Sequence, residues 1–384
     1  MNPLPENDEA YMRRALRLAM NGRGRVEPNP MVGCVIVKDG RVIGQGYHEQ
    51  FGGPHAEPSA LANCTESSVG ATAYVTLEPC CHTNKKTPPC VPRLIEAGLA
   101  RVVIGCLDPN PDVNGRGVAM LRAAGIVVDG PLLEPQARQL IAPFITRTRL
   151  GRPYVTLKWA QTADGKVAGA GGRQMQISNA ISRQLVHELR SRCDAILVGV
   201  NTVLVDDPAL NARFARLRRD PARYVLDRDL RTPVDAQLLT DRGAPTTLFC
   251  GHDTSGPFRH RREALQAAGA TVTMINTDAS GRLKLADALG RIFGASNAEL
   301  LVESGPTLAA SFLAAADGVD RVWVVHSPTR MDDPTAPAAA EIPGHFVESG
   351  RLDLGGDTLI EYLNPSSLAF FANTPSADLV LARS

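Results

Sequence analysis

At 384 residues, with 44% hydrophobic and 21% charged residues, the chain has room for two or three domains and an ordinary globular composition, which excludes the disordered and fibrous classes. A formal net charge of +1 gives no basic footprint for nucleic acid, and no apolar run approaches the roughly 20 residues of a membrane span. Eight cysteines in a chain this long make no disulfide framework, and residues 1–9, polar and acidic, carry no export signal, so a cytoplasmic location is expected.

Asn7 ahead of Asp8 and Glu9 predicts a capped helix start, with Tyr11, Ala15, Leu18 and Ala19 on one face and a stop at Gly22. Residues 31–37 form an apolar run closed by Asp39-Gly40 and answered by 41–47, the pattern of a β-hairpin. Asn29, in Pro28-Asn29-Pro30, sits just ahead of it. A helix is expected from His55 to about Asn63, a buried strand over 73–77, a second helix from Cys90 and Pro92 to Gly98, and a strand over 101–106. A loop with Asp108-Pro109-Asn110-Pro111 and Gly115-Arg116-Gly117, a helix to Ala124 and a strand over 126–128 complete an alternating α/β layer.

Into this layer the chain sets His55-Ala56-Glu57, Glu78-Pro79-Cys80-Cys81 and Thr87-Pro88-Pro89-Cys90. One imidazole, His55, and two thiolates, Cys80 and Cys90, suit Zn²⁺, and three protein ligands leave a fourth tetrahedral position for water, as in a catalytic site. A zinc that merely stapled a loop would want a fourth protein ligand, for which His82 is the one candidate, and would make no use of Glu57. Two residues from a ligand, Glu57 is placed to move the proton of a zinc-activated water, which is the machinery of a hydrolytic deaminase. Helix N-termini at the zinc-binding segments favour thiolate ligands. Cys34, Cys64 and Cys106 read as small core residues, and Cys193 and Cys250 belong to no motif.

These residues resemble the cytidine-deaminase superfamily, and within it the deaminase half of the bifunctional riboflavin-biosynthesis deaminase/reductase family. The wider superfamily usually separates its two cysteines by two residues. Here nine stand between Cys80 and Cys90, and the string Lys86-Thr87-Pro88-Pro89-Cys90 is similar to the riboflavin enzymes' own. Their loop is usually one residue shorter, which places an insertion around Thr83, Asn84 and Lys85. Counted back from Cys90, the usual spacing falls on Cys81; counted forward from Glu78-Pro79, the ligand is Cys80, the preferred assignment. The resemblance makes Glu57 catalytic and implies pyrimidine and phosphate contacts from Asn29, His82, Lys86, Asp108 and Asn110.

Residues 131–150 read as a helix followed by a basic linker over 147–152, and Pro153 opens a new strand over 154–160. The boundary is placed near 149, giving a deaminase domain over 1–148, a second domain over 149–366 and a tail over 367–384 with no site. Strands are expected at 195–200, 223–227, 246–250, 271–275, 299–303 and 321–326, with helices near 180–190, 261–268, 285–293 and 306–316. That alternation predicts a mostly parallel sheet with helices on both faces. Beyond residue 342 only 357–362 reads as a strand. No Gly-x-Gly-x-x-Gly follows any strand, so an ordinary Rossmann site is not expected. Glu303-Ser304-Gly305-Pro306-Thr307-Leu308 ends a strand and starts a helix, where backbone N–H groups could hold a phosphate, although a plain turn also needs glycine.

This half is similar to the family's dihydrofolate-reductase-like domain, which uses NADPH to reduce the ribose of the deaminated product to a ribityl chain. The matching pieces are Lys158 with Asp164-Gly165-Lys166, Arg190, the stretch 199–213 and the stretch 303–308. The resemblance implies substrate contacts from Gln174, Arg190, Leu210, Arg213 and Glu303, with Arg190 and Arg213 on the 5′-phosphate, a task that suits the arginine fork. It implies cofactor contacts from Ala160, Gln176, Ser178, Thr202, Asp206, Arg228, Gly305, Pro306 and Thr307. Three departures stand out, one of them the Pro-, Ala- and Asp-rich segment 327–342, which lacks the family's usual apolar strand-and-glycine ending. Gln174-Met175-Gln176-Ile177-Ser178 replaces the usual Ser-x-Trp-Ile-Thr, and Arg228 stands where a small hydroxyl residue is common. The expectation is therefore an α/β protein, a three-layer cytidine-deaminase-like domain followed by a dihydrofolate-reductase-like one. It binds Zn²⁺ and NADPH, acts on a small pyrimidine ribosyl phosphate, self-associates, and has no nucleic-acid or membrane partner. Two rivals remain: a deaminase carrying a degenerate reductase-like scaffold, and a nucleoside or RNA base deaminase.

Overall fold

A computed structural model describes residues 7–82, 87–213, 220–251, 256–315 and 318–367. Thr83 to Lys86, and with them the expected Lys86 contact, lie outside the described residues, as does the tail from 368 on. The chain divides into two compact units, Met1–Leu150 and Gly151–Ser384.

The first unit runs α1 (Asp8–Met20), β1 (Gly33–Lys38), β2 (Arg41–Tyr47), α2 (Ala56–Ala62), β3 (Thr72–Val75), α3 (Cys90–Glu96), β4 (Arg101–Ile104), α4 (Arg116–Ala123), β5 (Val127–Asp129), α5 (Glu134–Leu140) and α6 (Ala142–Leu150). Its sheet is ordered β2-β1-β3-β4-β5, with β1 antiparallel to both neighbours and β3, β4 and β5 parallel. Asp39 and Gly40 both take left-handed φ values, 48° and 73°, as a tight hairpin turn between twisted strands requires. Met12, Ala15 and Ala19 form the buried face of α1. The helix lies so close on β1 that a Cβ at Gly33 would meet the Ala15 carbonyl oxygen at 2.0 Å.

The expected Asn7 cap does not form: Asn7 is helical and its side chain makes no capping bond. The helix start is held instead by buried Asp8, which accepts from Tyr74 Oη at 2.5 Å and pairs with Arg101 at 2.7 Å. Burial alone would raise the Asp8 carboxyl, but these two donors hold it below its ordinary range. Residues 131–150 form two helices rather than one, and the expected basic linker is largely the last turn of α6.

The second unit continues β6 (Tyr154–Gln161), α7 (Ala180–Arg190), β7 (Ala195–Gly199), α8 (Val200–Asp206), β8 (Ala222–Leu226), α9 (Gln237–Thr240), β9 (Thr246–Cys250) and α10 (Pro257–Ala267). It closes with β10 (Thr271–Met274), α11 (Leu285–Gly294), β11 (Glu299–Glu303), α12 (Pro306–Ala314), β12 (Arg321–His326), β13 (Val347–Leu354) and β14 (Asp357–Leu363). The sheet order is β10-β9-β8-β7-β11-β6-β12-β14-β13, parallel through β12, with β14 and β13 antiparallel at one edge. Its central strands are buried on both faces. Ala195 and Leu197 of β7 enter one apolar cluster while Ile196 and Val198 enter the other, which is why these strands read as continuous apolar runs.

The Pro-, Ala- and Asp-rich stretch after His326 is tied to the turn after β6. The Asp164 carboxylate accepts the Met331 and Asp332 N–H groups at 3.0 and 2.9 Å, and Lys166 Nζ donates to the Ala336 carbonyl at 3.0 Å. Asp164-Gly165-Lys166 is thereby a clamp on this segment. Among the described residues no helix is long and apolar enough to cross a membrane.

Candidate active sites

In the first unit the sheet and two helix N-termini converge on one point. His55 immediately precedes α2, Cys90 is the first residue of α3, and Cys80 follows five residues after β3. One donor atom from each of His55, Cys80 and Cys90 lies within 4.8 Å of the others. His55 Nδ1 is 3.5 Å from Cys80 Sγ and 3.4 Å from Cys90 Sγ. Tetrahedral zinc, with Zn–S near 2.3 Å and Zn–N near 2.0 Å, requires an N-to-S edge of roughly 3.5 Å. The donor set and spacing thus fit the ion. His82 is not one of the three, so the described residues supply no fourth protein ligand.

The ring of His55 is oriented from behind. Its Nε2 lies 3.0 Å from Thr87 Oγ1, and in the tautomer that leaves Nδ1 bare, Nε2–H donates to that hydroxyl. Thr87 carries no signal of its own along the chain beyond its place in the Thr-Pro-Pro-Cys string. Cys80 is 7% exposed and receives the Cys90 backbone N–H at 3.4 Å. Cys81 lies outside the donor group, and burial, then Glu78 and Cys80, push its thiol up. Glu57, in the first turn of α2, is buried, and that burial chiefly, then Cys80, raises its carboxyl above the ordinary range.

A cavity of about 380 Å³ opens over these donors, lined among others by Asn29, His48, Glu57, His82, Asp108 and Asn110. The structure therefore gathers the expected Asn29, His82, Asp108 and Asn110 around Glu57. The buried Nδ1 of His82 has no partner among the described residues. Asp108 Oδ1 accepts the Asn110 N–H at 2.8 Å, which fixes the two on one turn. His48, absent from the sequence expectation because no motif marks it, sits 3.2 Å from Asn29 Nδ2 and 2.9 Å from the Pro54 carbonyl. Burial pushes its pKa down and keeps the ring neutral. Nδ1–H then donates to Pro54 and Nε2 accepts from the Asn29 amide, so the amide oxygen of Asn29 stays available to a ligand.

In the second unit a cleft of about 770 Å³ is lined by Thr202, Arg228, Gly305, Pro306 and Thr307 of the expected cofactor set, together with Arg231, Arg282 and Lys284, which no motif marked. Gly305 caps the N-terminus of α12, whose N–H groups and dipole suit an anion. Arg228 reaches across to the Gly281 carbonyl at 3.2 Å and pairs with Asp229. Ala160, Gln176, Ser178 and Asp206 are not among the described residues lining this cleft.

The expected substrate residues are treated unevenly. Arg190 lays its fork on Glu303, with Nη2 to Oε2 at 2.8 Å, and donates to the Asn211 carbonyl at 3.1 Å. Its guanidinium is thus engaged by a carboxylate, while Arg213, the other arginine expected on the phosphate, is exposed. The Leu210 side chain is 2% exposed and packs in the core, at a left-handed φ of 49°. Gln174 and Gln176 are exposed. Burial pushes Lys158 down, and it favours neutral Glu303 too, but Arg190 and then Lys158 hold the Glu303 carboxyl at about 2.

A depressed carboxyl stabilises the fold above its unfolded pKa and loses that contribution as pH falls through the folded value. The stability advantage of wild type over Glu303→Gln is therefore expected to be full at pH 6 and to shrink below about pH 4.3, towards zero near 2. Chemical denaturation of both proteins across that range checks it; a difference that does not change with pH refutes the assignment.

Residues 5–106 match the family described as the cytidine and deoxycytidylate deaminase zinc-binding region, and residues 153–338 match the RibD C-terminal domain. The riboflavin biosynthesis protein RibD of Aquifex aeolicus is 42% identical over 328 residues, 85% of this chain and 89% of that protein. The RibD of Actinobacillus pleuropneumoniae is 40% identical over 381 residues, 95% of this chain and 99% of its own length. The crystal structure of a diaminohydroxyphosphoribosylaminopyrimidine deaminase/5-amino-6-(5-phosphoribosylamino)uracil reductase from Thermotoga maritima superposes with a TM-score of 0.79 at 34% identity, covering 93% of this chain and 98% of that one. With a zinc-binding deaminase region and a dihydrofolate-reductase-like domain in one polypeptide, the chain belongs to the RibD family of bifunctional riboflavin-biosynthesis deaminase/reductases.

Proposed function

We propose that the first unit is a zinc-dependent hydrolase that deaminates a diaminopyrimidinone ribosyl 5′-phosphate, and that the second reduces the deaminated product's ribosyl group to ribityl with NADPH. The observation that carries the first half is the His55, Cys80 and Cys90 donor triangle, whose two N-to-S edges of 3.4 and 3.5 Å match tetrahedral zinc beside a buried glutamate. Zinc, when bound, supplies a water acidified towards neutral pKa. Glu57 takes the proton of that water and passes it to the amine leaving C2, so that aminouracil and ammonia result. Asn29, His82, Asp108 and Asn110 hold the pyrimidine in register, and their placement around one cavity supports that role.

In the second unit the cleft at the start of α12 supports cofactor binding, with Gly305, Pro306 and Thr307 at the pyrophosphate and Thr202 and Arg228 alongside. NADPH, when bound, supplies the hydride. The chain's own task is to position the sugar, with Glu303 held ionised by Arg190, and it need not act covalently. Self-association, a cytoplasmic location and the absence of a nucleic-acid partner go with this reading.

Ammonia release and NADPH oxidation, followed separately on the diaminopyrimidinone ribosyl phosphate, test the two halves. Both signals are expected. Ammonia without NADPH oxidation leaves a deaminase with a scaffold domain, the reading favoured by the exposed Gln174 and Gln176. Neither signal from zinc-loaded protein brings the nucleoside or RNA deaminase forward. Removing the Thr87 hydroxyl offers a finer check. Thr87→Val leaves the His55 Nε2–H without its acceptor and is expected to weaken zinc binding by roughly 10–100-fold in a chelator competition. Unchanged affinity would show that Thr87 does not orient the ligand.

A further inference from the structure

Glu78 is two residues from Cys80, is buried, and takes no part in the proton transfers above. It is nevertheless fully engaged. Its Oε2 accepts the backbone N–H groups of Asp108 at 3.2 Å and Gly115 at 2.9 Å, and its Oε1 accepts that of Val118 at 3.1 Å. Its own N–H donates to the Cys106 carbonyl at 2.9 Å. All three acceptor bonds therefore reach a single stretch, the loop from Asp108 to the first turn of α4, and none goes to a side chain.

That stretch carries Asp108 and Asn110, and both line the cavity over the donor triangle. A second observation shows that the approach is built from the other side as well. A Cβ at Gly117 would stand 2.2 Å from the Pro79 carbonyl oxygen and 3.1 Å from Glu78 Oε1, so only glycine lets α4 sit against Glu78-Pro79. The N-terminal N–H groups of α4 have no partners within the helix, and an ionised carboxylate is the strongest acceptor for them. One side chain thus ties the loop that presents Asp108 and Asn110 to the segment that presents Cys80.

We propose that Glu78 is a positioning residue of the deaminase, which sets the distance between the metal ligand Cys80 and the pyrimidine-reading turn at Asp108 and Asn110. The proposal rests on the deaminase reading of this cavity. A turn that drifts by an ångström loses its hold on the substrate without disturbing the donors themselves, so the substrate's KM is the quantity Glu78 controls.

Glu78→Gln tests this in the full chain. Glutamine keeps the shape but turns an NH₂ group towards an N–H donor, so at least one of the three bonds fails. The expected result is a KM for ammonia release raised about tenfold or more, with kcat changed less. One zinc per chain is retained, reductase turnover on the deaminated product is unchanged, and hydrogen exchange is faster at the amides of Asp108, Gly115 and Val118. An unchanged KM, or a loss of activity that follows zinc content, overturns the proposal. Should Glu78→Gln fail to fold, Gly117→Ala displaces the same contact from the opposite side and must raise KM in the same way; a wild-type KM there overturns it too. Failure of the wild-type chain to release ammonia would overturn the deaminase reading itself, an outcome distinct from a normal wild type with an indifferent Glu78→Gln.

Discussion

Glu57→Gln is expected to lower ammonia release by on the order of 10²–10⁴-fold, with zinc content and reductase turnover unchanged. Glutamine matches glutamate in volume and fits the same buried place at the start of α2, but its amide cannot accept a proton. The substitution therefore removes proton transfer and little else. Burial, and after it Cys80, hold the Glu57 carboxyl above its ordinary range, whereas a dication beside it acts in the opposite sense. Reductase turnover on the deaminated product is the internal control, since the site proposed for it is built from residues of the second unit and includes nothing of Glu57. Retained ammonia release in a zinc-loaded variant would remove Glu57 from the mechanism; loss of zinc would make it a support for the site.

The grouping of His55, Cys80 and Cys90 was legible in the sequence because it is carried by residue type and short spacing. His55 with Glu57, and Cys80 with Cys90, restrict the ligand and the reaction before any fold is drawn. The alternation of apolar runs with amphipathic stretches likewise exposed the two α/β layers, because strands buried on both faces, such as β7, cannot look polar. β13 escaped for the converse reason. It is an edge strand with most residues open to solvent, and Val347-Glu348-Ser349-Gly350-Arg351 carries no apolar alternation. The parts played by His48, Thr87 and Glu78 escaped because each hydrogen-bonds to residues distant in the chain, and such partnerships leave no spacing rule along it. Arg282 and Lys284 reach the second cleft from a turn beyond β10, a meeting that only the order β10-β9-β8 creates. The Asn7 cap was the reverse case, a local signal overridden by tertiary contacts, since Asp8 is claimed by Tyr74 and Arg101 from the sheet.

The adjacent cysteines give the second large effect. Cys80→Ser is expected to strip zinc from the site and abolish ammonia release, whereas Cys81→Ser retains both. The spacing of the family pattern allowed either sulfur, but the two differ in surroundings. Cys80 Sγ stands 3.5 Å from His55 Nδ1 and accepts the N–H of Cys90, the residue that also supplies the third donor. That amide opens α3, so the positive end of a helix faces the sulfur and favours its thiolate. Cys81 has the opposite environment: burial, Glu78 and Cys80 all keep its proton on, and it stands outside the donor triangle. Loss of a donor atom should weaken zinc by more than the roughly 10–100-fold that an outer-shell substitution costs. Zinc content measured after dialysis against a chelator separates the variants without reference to turnover. The opposite pattern, with Cys81→Ser losing metal and Cys80→Ser holding it, would assign the ligand to Cys81. The family's usual spacing, counted back from Cys90, would then be met from Cys81, and the extra residue would lie ahead of the ligand, at Cys80.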